Sequence, residues 1–238
     1  MPTLNEAQAL PGTLTALLSQ TGDYEVIVVD GGSTDRTRAI LQEHGFVATV
    51  NDLSLSPYAV PRAPCLLLTA PRGRASQMNA GAAAARGDWL LFLHADTVLP
   101  DGALAQLNAM EADVSIQAGG FRHRFSGRDW RLRAISWLDN FRCERSRVIY
   151  GDQGLFVRRR LFQAVGGFPD QPILEDVAFC ERLLPHTRPV LLPSSVVTDA
   201  RKFLAMGIGR SFFRVLLIIL HVQFKLPILP RVFFQDIR

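Results

Sequence analysis

Residues 87–100 of this 238-residue chain read Gly-Asp-Trp-Leu-Leu-Phe-Leu-His-Ala-Asp-Thr-Val-Leu-Pro, and they constrain the fold more than any other stretch. Trp89 to Leu93 is a continuous apolar run. It is too short for a spanning helix and lacks the alternation of a half-exposed strand. It predicts a strand buried in a sheet that is covered on both faces. Polarity then switches abruptly at His94, Asp96 and Thr97. In open α/β sheets, ligands gather beyond the carboxyl ends of the strands. A carboxylate on such a stiff support suits Mg²⁺ or Mn²⁺, hard ions that share oxygen ligands with substrate phosphates. The competing reading is a strand that simply ends in a solvated turn.

A related unit lies upstream. Glu25 to Val29 is rich in Val and Ile and predicts a strand. It ends at Asp30, and Gly31 and Gly32 then allow a sharp turn with close backbone approach to a ligand. Ser33 or Thr34 can cap the helix that follows, with Asp35 in its first turn. This is half of a nucleotide-binding unit, though neither the Walker nor the dinucleotide spacing is met. On this reading alone, Asp30 is equally a capping carboxylate.

The remaining elements follow from periodicity and breakers. Residues 6–19 predict a helix with Leu10, Leu14, Leu17 and Leu18 on one face, weakened in its middle by Pro11 and Gly12. Asn5 and Glu6 fit the start of that helix. Residues 47–50 and 65–69 predict strands, separated by a long Pro- and Ser-containing loop over 51–64. Pro71-Arg72-Gly73-Arg74 precedes an alanine-rich helix over 75–85, and a helix N-terminus favours anions. A helix is expected over 103–111 and a strand over Ala118 to Phe125, carrying His123. Residues 128–145 predict an amphipathic helix whose apolar residues are Trp130, Ile135, Trp137, Leu138 and Phe141. Val148-Ile149-Tyr150 leads into a Gly151-Asp152-Gln153-Gly154 turn and a strand over 155–157. Glu175 and Asp176 open a helix, where backbone dipoles stabilise carboxylates.

Length and an apolar content of 48% fit one catalytic domain, residues 1–200, with a sizeable core. Residues 201–238 read as an amphipathic helical tail. Its Phe212 to Phe224 run is too short and interrupted to span a bilayer. Basic residues punctuate it, among them Arg201, Lys202, Arg210, Arg214, Lys225 and Arg231. Three placements are open: packing on the domain, a homodimer contact through 203–238, or peripheral contact with an inner membrane face, the last slightly favoured. Cys65, Cys143 and Cys180 are odd in number and far apart, which predicts free thiols in a reducing compartment. With no signal peptide, the expected location is cytoplasmic. The net charge of +4 comes mostly from arginine, suited to phosphates. No nucleic-acid-binding motif is present, so nucleic acid is not an expected partner.

Six blocks carry a family resemblance in order: Pro2-Thr3-Leu4-Asn5-Glu6, Val28 to Asp35, Arg72-Gly73-Arg74-Ala75, Gln77 to Ala82, Leu93-His94-Ala95-Asp96-Thr97, and Leu174-Glu175-Asp176. Together they resemble glycosyltransferase family 2, and within it the radical-SAM/selenodomain-associated transferases, over roughly residues 2–200. The resemblance implies a GT-A fold, an α/β architecture with a mostly parallel central sheet flanked by helices. It implies a metal-dependent inverting transfer from a nucleoside-diphosphate sugar, a UDP-sugar first, to an acceptor hydroxyl that is unidentified and lipid-linked if the tail meets a membrane. By resemblance Thr3, Asn5 and Glu6 line the nucleotide site, and Asp30 with Gly31, Gly32 and Ser33 meets the base or ribose. Arg72 and Arg74 reach the diphosphate, and Asn79, His94 and Ala95 complete the donor side. Asp152 and Gln153 face sugar hydroxyls on the acceptor side. Asp96 holds Mn²⁺ or Mg²⁺. Asp176 is the expected general base, with Glu175 as alternate. Many family members have Asp-X-Asp where this chain has His94-Ala95-Asp96. Histidine is a softer ligand that suits Mn²⁺; it could also touch a phosphate or pack at the strand end. Family members also carry an apolar strand before the Pro2 block, so the expectation is that this strand is absent or the start misplaced. Two rival functions share the fold-level signal: a catalytically silent nucleotide-sugar binder at a membrane, and a nucleotidyltransferase.

Overall fold

In the computed structural model, residues 1–48, 65–171 and 173–223 are described. Pro2–Thr3 (β1), Val26–Asp30 (β2), Val47–Ala48 (β3) and Cys65–Thr69 (β4) form an all-parallel sheet in the order β1-β2-β4-β3. Every residue of β2 is buried, as a strand covered on both faces must be. Parallel neighbours need crossovers: Leu10–Leu18 (α1) joins β1 to β2 and Thr37–Glu43 (α2) follows β2, while Arg74–Ala84 (α3) leads from β4 to the second sheet. β1 consists of Pro2 and Thr3 themselves, paired in parallel with Val29 and Asp30. The predicted loop over 51–64, and the end of the predicted 47–50 strand, lie outside the described residues.

Two helix starts fall later than predicted. α1 begins at Leu10 instead of residue 6, which puts Pro11 in the first turn, where its missing N–H costs nothing. α2 begins at Thr37, and neither Ser33 nor Thr34 caps it. Asp35 Oδ1 accepts from the Thr37 N–H at 2.9 Å instead. Along α3 the small side chains let the helix lie close on the sheet: a Cβ at Gly81 would sit 3.2 Å from Val29 Cγ2.

The second sheet is mixed. Trp89–Phe92 (β5), Thr97–Val98 (β6), Ala118–Phe125 (β7), Leu155–Arg158 (β8) and Val190–Thr198 (β9) run in the order β5-β8-β7-β9-β6. Only β7 and β9 pair in parallel; the other pairs are antiparallel. β5 is buried at Leu90 and Phe92 and half-buried at Trp89 and Leu91. Trp89 carries the Arg158 guanidinium over its ring at 4.0 Å, which accounts for a residue of that size at a half-buried position. Six helices complete the described chain: Ala103–Ala109 (α4), Trp130–Ser146 (α5), Arg159–Ala164 (α6), Glu175–Leu183 (α7), Arg201–Met206 (α8) and Ile208–Gln223 (α9). One apolar cluster joins Leu10 and Leu14 to Val28, Leu67, Leu104 and Leu107. A second joins Met78 and Ala82 to Phe92, Val157, Phe162 and Phe179. Both brace β5, so the His94–Asp96 turn at its end stands on a stiff base.

α5 is a helix as predicted, but its apolar residues are not gathered on one inward face. Leu132, Ser136 and Cys143 are buried, whereas Trp130 and Trp137 are 68% and 67% exposed. The inward side instead makes polar contacts with β7: Asn140 exchanges hydrogen bonds with the His123 backbone, and Ser136 Oγ accepts from the Phe125 N–H. All three cysteines are free. Among the described residues, no helix is long and apolar enough to cross a membrane.

Candidate active site

A cleft of about 730 Å³ opens at the carboxyl ends of β1 and β5. That volume holds a ligand of several hundred daltons. Its walls come from Thr3 and Glu6, from Arg72 to Arg74 before α3, from His94 to Asp96, from Gly151 and Asp152, from Leu174 and Asp176, and from α8.

Asp96 stands on one wall with its side chain 14% exposed. Lys202 Nζ lies 3.1 Å from Asp96 Oδ2 and 2.6 Å from Glu6 Oε1, and Arg201 also pairs with Glu6. Burial works against a charged Asp96, but Lys202 and then His94 outweigh it and hold the carboxyl below its usual range. Burial likewise opposes the Lys202 charge, and Asp96 and Glu6 overcome it, raising the ammonium above its usual value.

Asp176 stands on the facing wall, at the start of α7. Its Oδ2 accepts from the Gly151 N–H at 2.6 Å and its Oδ1 from the Val177 N–H at 2.8 Å. Leu174, immediately before the helix, sits in the left-handed region at φ 55°, uncommon for a branched residue. Such strain persists where the surroundings over-determine it, and here it sets the aim of the acidic pair. His94 Nε2 is buried without a hydrogen bond and faces Gly151, where a Cβ would come within 2.6 Å of it. Burial, then the Arg74 charge, pushes this imidazole below its usual value, against the pull of Asp96, Asp152 and Asp176. Glu175 is 1% exposed, points away from the cleft, and holds Arg74 Nε at 2.8 Å.

Of the residues singled out in the sequence, Thr3, Glu6, Arg72, Arg74, His94, Ala95, Asp96, Asp152 and Asp176 line this one cleft. Asn5, Asp30, Gly31, Gly32, Ser33, Asn79, Gln153 and Glu175 do not line this cleft. Their hydrogen-bonding capacity goes to shaping its supports. Asp30 is fully buried and accepts from the N–H groups of Gly32 and Ser33 and from Ser33 Oγ, holding the turn that follows β2. Asn5 Oδ1 accepts from the Thr34 N–H at 2.8 Å, tying the two turns together. Asn79 brackets the Phe168 peptide, accepting at 2.9 Å and donating at 2.8 Å. Gln153 Oε1 accepts from the Tyr150 N–H.

Three features escaped the sequence. Lys202, read in the sequence only as one of the basic residues of the tail, enters the cleft from α8. Tyr150 lines the cleft under the Arg142 guanidinium, 3.9 Å from its ring centre, with burial pushing its phenol up to about 12. Behind Asp152, the buried His123 ring lies 3.6 Å from Asp152 Oδ2 and 3.8 Å from Asp139 Oδ2. Burial first, then the charge of Asp152, pushes Asp139 up to about 6. An isolated His123 in a strand pattern gives no sign of such partners.

Among the described residues, no group of three or more His, Cys, Asp or Glu side chains could hold a metal ion. Asp96, one of several carboxylates on the cleft and two residues after His94, fits an ion that brings most of its ligands as phosphate oxygen and water, as Mg²⁺-type sites on nucleotides do.

The sequence model described as glycosyl transferase family 2 matches residues 1–163. A PGL/p-HBAD biosynthesis glycosyltransferase of Mycobacterium bovis is 31% identical over 180 residues, covering 71% of this chain and 61% of that protein. The succinoglycan biosynthesis protein ExoO of Rhizobium meliloti is 36% identical over 99 residues, covering 41% of this chain and 24% of ExoO. The chain thus spans about three fifths of the length of the first of these relatives. Among solved structures, a mannosyltransferase from Pyrobaculum calidifontis, in complex with GDP-Man and Mn²⁺, superposes with a TM-score of 0.63 at 22% identity, over 90% of this chain and 58% of that one. TarS 1–349 of S. aureus with UDP-GlcNAc gives 0.63 at 18% identity, over 98% and 67%. At these identities the likeness establishes a shared fold.

Proposed function

Because this chain belongs to glycosyltransferase family 2 and has the GT-A fold, we propose that it transfers a sugar from a nucleoside-diphosphate sugar to an acceptor hydroxyl with inversion. One observation carries the reading: Asp96 and Asp176 line the same cleft, one at the end of β5 and the other at the start of α7. A leaving-group side and an acceptor side need opposite chemistry, and the two carboxylates are differently equipped for it.

On the leaving-group side the charge to be neutralised is the diphosphate. Arg72 and the N-terminus of α3 meet it. Asp96, with His94 beside it, is the residue to hold Mn²⁺ or Mg²⁺. When bound there, such an ion supplies Lewis-acid neutralisation of the departing diphosphate. Lys202 neutralises Asp96 and Glu6 in the protein as it stands. On the acceptor side, two backbone N–H groups fix Asp176 in orientation. It takes the hydroxyl proton as the oxygen bonds to the anomeric carbon and the nucleoside diphosphate departs. Glu175 acts as a positioning residue through Arg74. The donor is a UDP-sugar in the first instance; the S. aureus relative was crystallised with UDP-GlcNAc and the archaeal one with GDP-Man.

The test is a thermal-shift screen of sugar nucleotides with and without Mn²⁺. A ligand at about a hundred times its Kd adds about 2.7 kcal/mol to native stability. At least one nucleoside-diphosphate sugar with Mn²⁺ should raise Tm and be turned over to nucleoside diphosphate. Binding without turnover would identify a silent binder, and pyrophosphate release from a nucleoside triphosphate would identify a nucleotidyltransferase. Absence of any shift across the panel would remove the donor reading.

A further inference from the structure

We infer that the outer face of α5, together with α9 packed beside it, is a docking surface for a bilayer rich in anionic phospholipid. A helix laid on a soluble domain normally turns its apolar stripe inward. α5 does the reverse. Trp130, Trp137 and Phe141 recur at intervals of seven and four residues, which places them on one stripe of the helix, with Leu138 beside them. Trp130 and Trp137 are 68% and 67% exposed, and Leu138 and Phe141 are 42% and 41% exposed. These side chains are ordered against one another: the Trp137 and Phe141 rings stack at 5.6 Å, and the Arg145 guanidinium lies over Phe141 at 5.1 Å. The inward face is secured by polar contacts to β7, so the helix has no competing reason to roll its aromatic stripe inward.

Composition and charge select the occupant. Tryptophan prefers an interface where its ring meets apolar material and its N–H meets water. Arginine lets its stem cover apolar surface while its head reaches phosphate. The stripe is edged by exposed Arg128, Arg133, Arg145 and Arg147. The acids on the exposed part of this helix are already engaged, Asp129 with Arg131 and Glu144 with Arg122. A row of Trp, Phe and Leu edged by arginine offers an anionic leaflet an aromatic anchor and cationic contacts to its phosphates together. α9 continues the surface. It packs on α5 through Ile208 against Leu132 and leaves Phe213 59% and Leu216 39% exposed. Each basic residue near an anionic leaflet adds attraction that falls off within a Debye length, so binding should weaken with salt.

The experiment is co-sedimentation of the full chain with vesicles of phosphatidylcholine alone and with one third phosphatidylglycerol, read also by tryptophan emission. Two of the chain's three tryptophans lie on the stripe. Anionic vesicles should bind the protein and shift its emission to the blue. The surface pair Trp137→Ser/Phe141→Ser should lower partition about tenfold or more while leaving Tm and sugar-nucleotide binding as in the parent. Arg133→Glu with Arg145→Glu should abolish the preference for anionic vesicles. No partition of the parent, or partition that the paired Ser variant leaves unchanged, overturns the proposal. Sedimentation velocity supplies the rival outcome: a concentration-dependent dimer that the same paired variant dissolves, without vesicle binding, assigns the face to a second copy of this chain.

Discussion

The two acidic residues that open α7 differ in where their oxygens go. Asp176 faces the cleft and is held by the N–H groups of Gly151 and Val177, whereas Glu175 faces inward to Arg74. Asp176→Asn preserves shape and can still accept from Gly151, but it cannot take a proton. Transfer should fall by about 10²–10⁴-fold with donor affinity nearly unchanged. Glu175→Gln should instead cost stability, about 1–3 kcal/mol, because a charge-assisted bond to a partly buried guanidinium is weakened. Its transfer rate should fall less than that of Asp176→Asn. Calorimetry beside rate measurements on both variants checks the assignment; full transfer in Asp176→Asn would move the base to Asp152. A pH dependence belongs to Asp139. Its folded value, about 6, lies above the ordinary carboxylate value of 3.8. The folded chain therefore holds a proton there that the unfolded chain has released. That contribution is complete below about pH 4 and is lost as pH rises through 6. The stability of the parent relative to Asp139→Asn should fall by on the order of 2 kcal/mol between those limits. Urea melts of both proteins at the two pH values measure it, and a flat difference would contradict it.

Turns and helix starts make the site, and they were the least legible elements. Gly151 shows why a small residue is required: a Cβ there would lie 2.6 Å from His94 Nε2 and 3.3 Å from Asp176 Oδ2. Gly151→Ala should push both walls apart and cut transfer by at least about tenfold while the melt stays cooperative. Equal activity in that variant would show that His94 and Asp176 need no fixed separation. In Gly119→Ala the added Cβ would press on the backbone carbonyl oxygen of Val190, and the change should destabilise the β7–β9 pair by about 1–3 kcal/mol in denaturant melts. The strands over 26–30, 65–69 and 89–92 were legible because apolar runs bounded by polar turns have one economical reading. β9 was not, since Pro193, Ser194 and Ser195 interrupt its pattern and the strand carries a register shift opposite Phe121 and Arg122. Asp30 and Asn79 were legible as important residues but not in role: periodicity cannot tell a carboxylate that meets a ligand from one that holds its own turn. Trp130 and Trp137 were legible as apolar residues on a helix, but the side of the helix they occupy depends on the polar contacts of Asn140 and Ser136 with β7.

At the scale of the molecule, a parallel sheet and a mixed sheet meet along β5, and the chain's later helices return to close the cleft formed there. Lys202 on α8 reaches Asp96 and Glu6, which are 106 and 196 residues away in sequence. Contacts of such separation are invisible to local patterns, which is why the sequence left the placement of the tail open while its first helix lines the cleft. The same closure predicts that Asp96 links donor binding to the whole cleft. Asp96→Ala should keep the fold, because the residue caps a strand end outside the core, and should lower turnover by about 10²–10³-fold. The most direct measurement is the release of nucleoside diphosphate from a sugar nucleotide with Mn²⁺, followed in parallel for the parent, Asp96→Ala and Asp176→Asn. The account predicts release by the parent, loss of both binding and release in Asp96→Ala, and retained binding with collapsed release in Asp176→Asn. Undiminished release in both variants would contradict it.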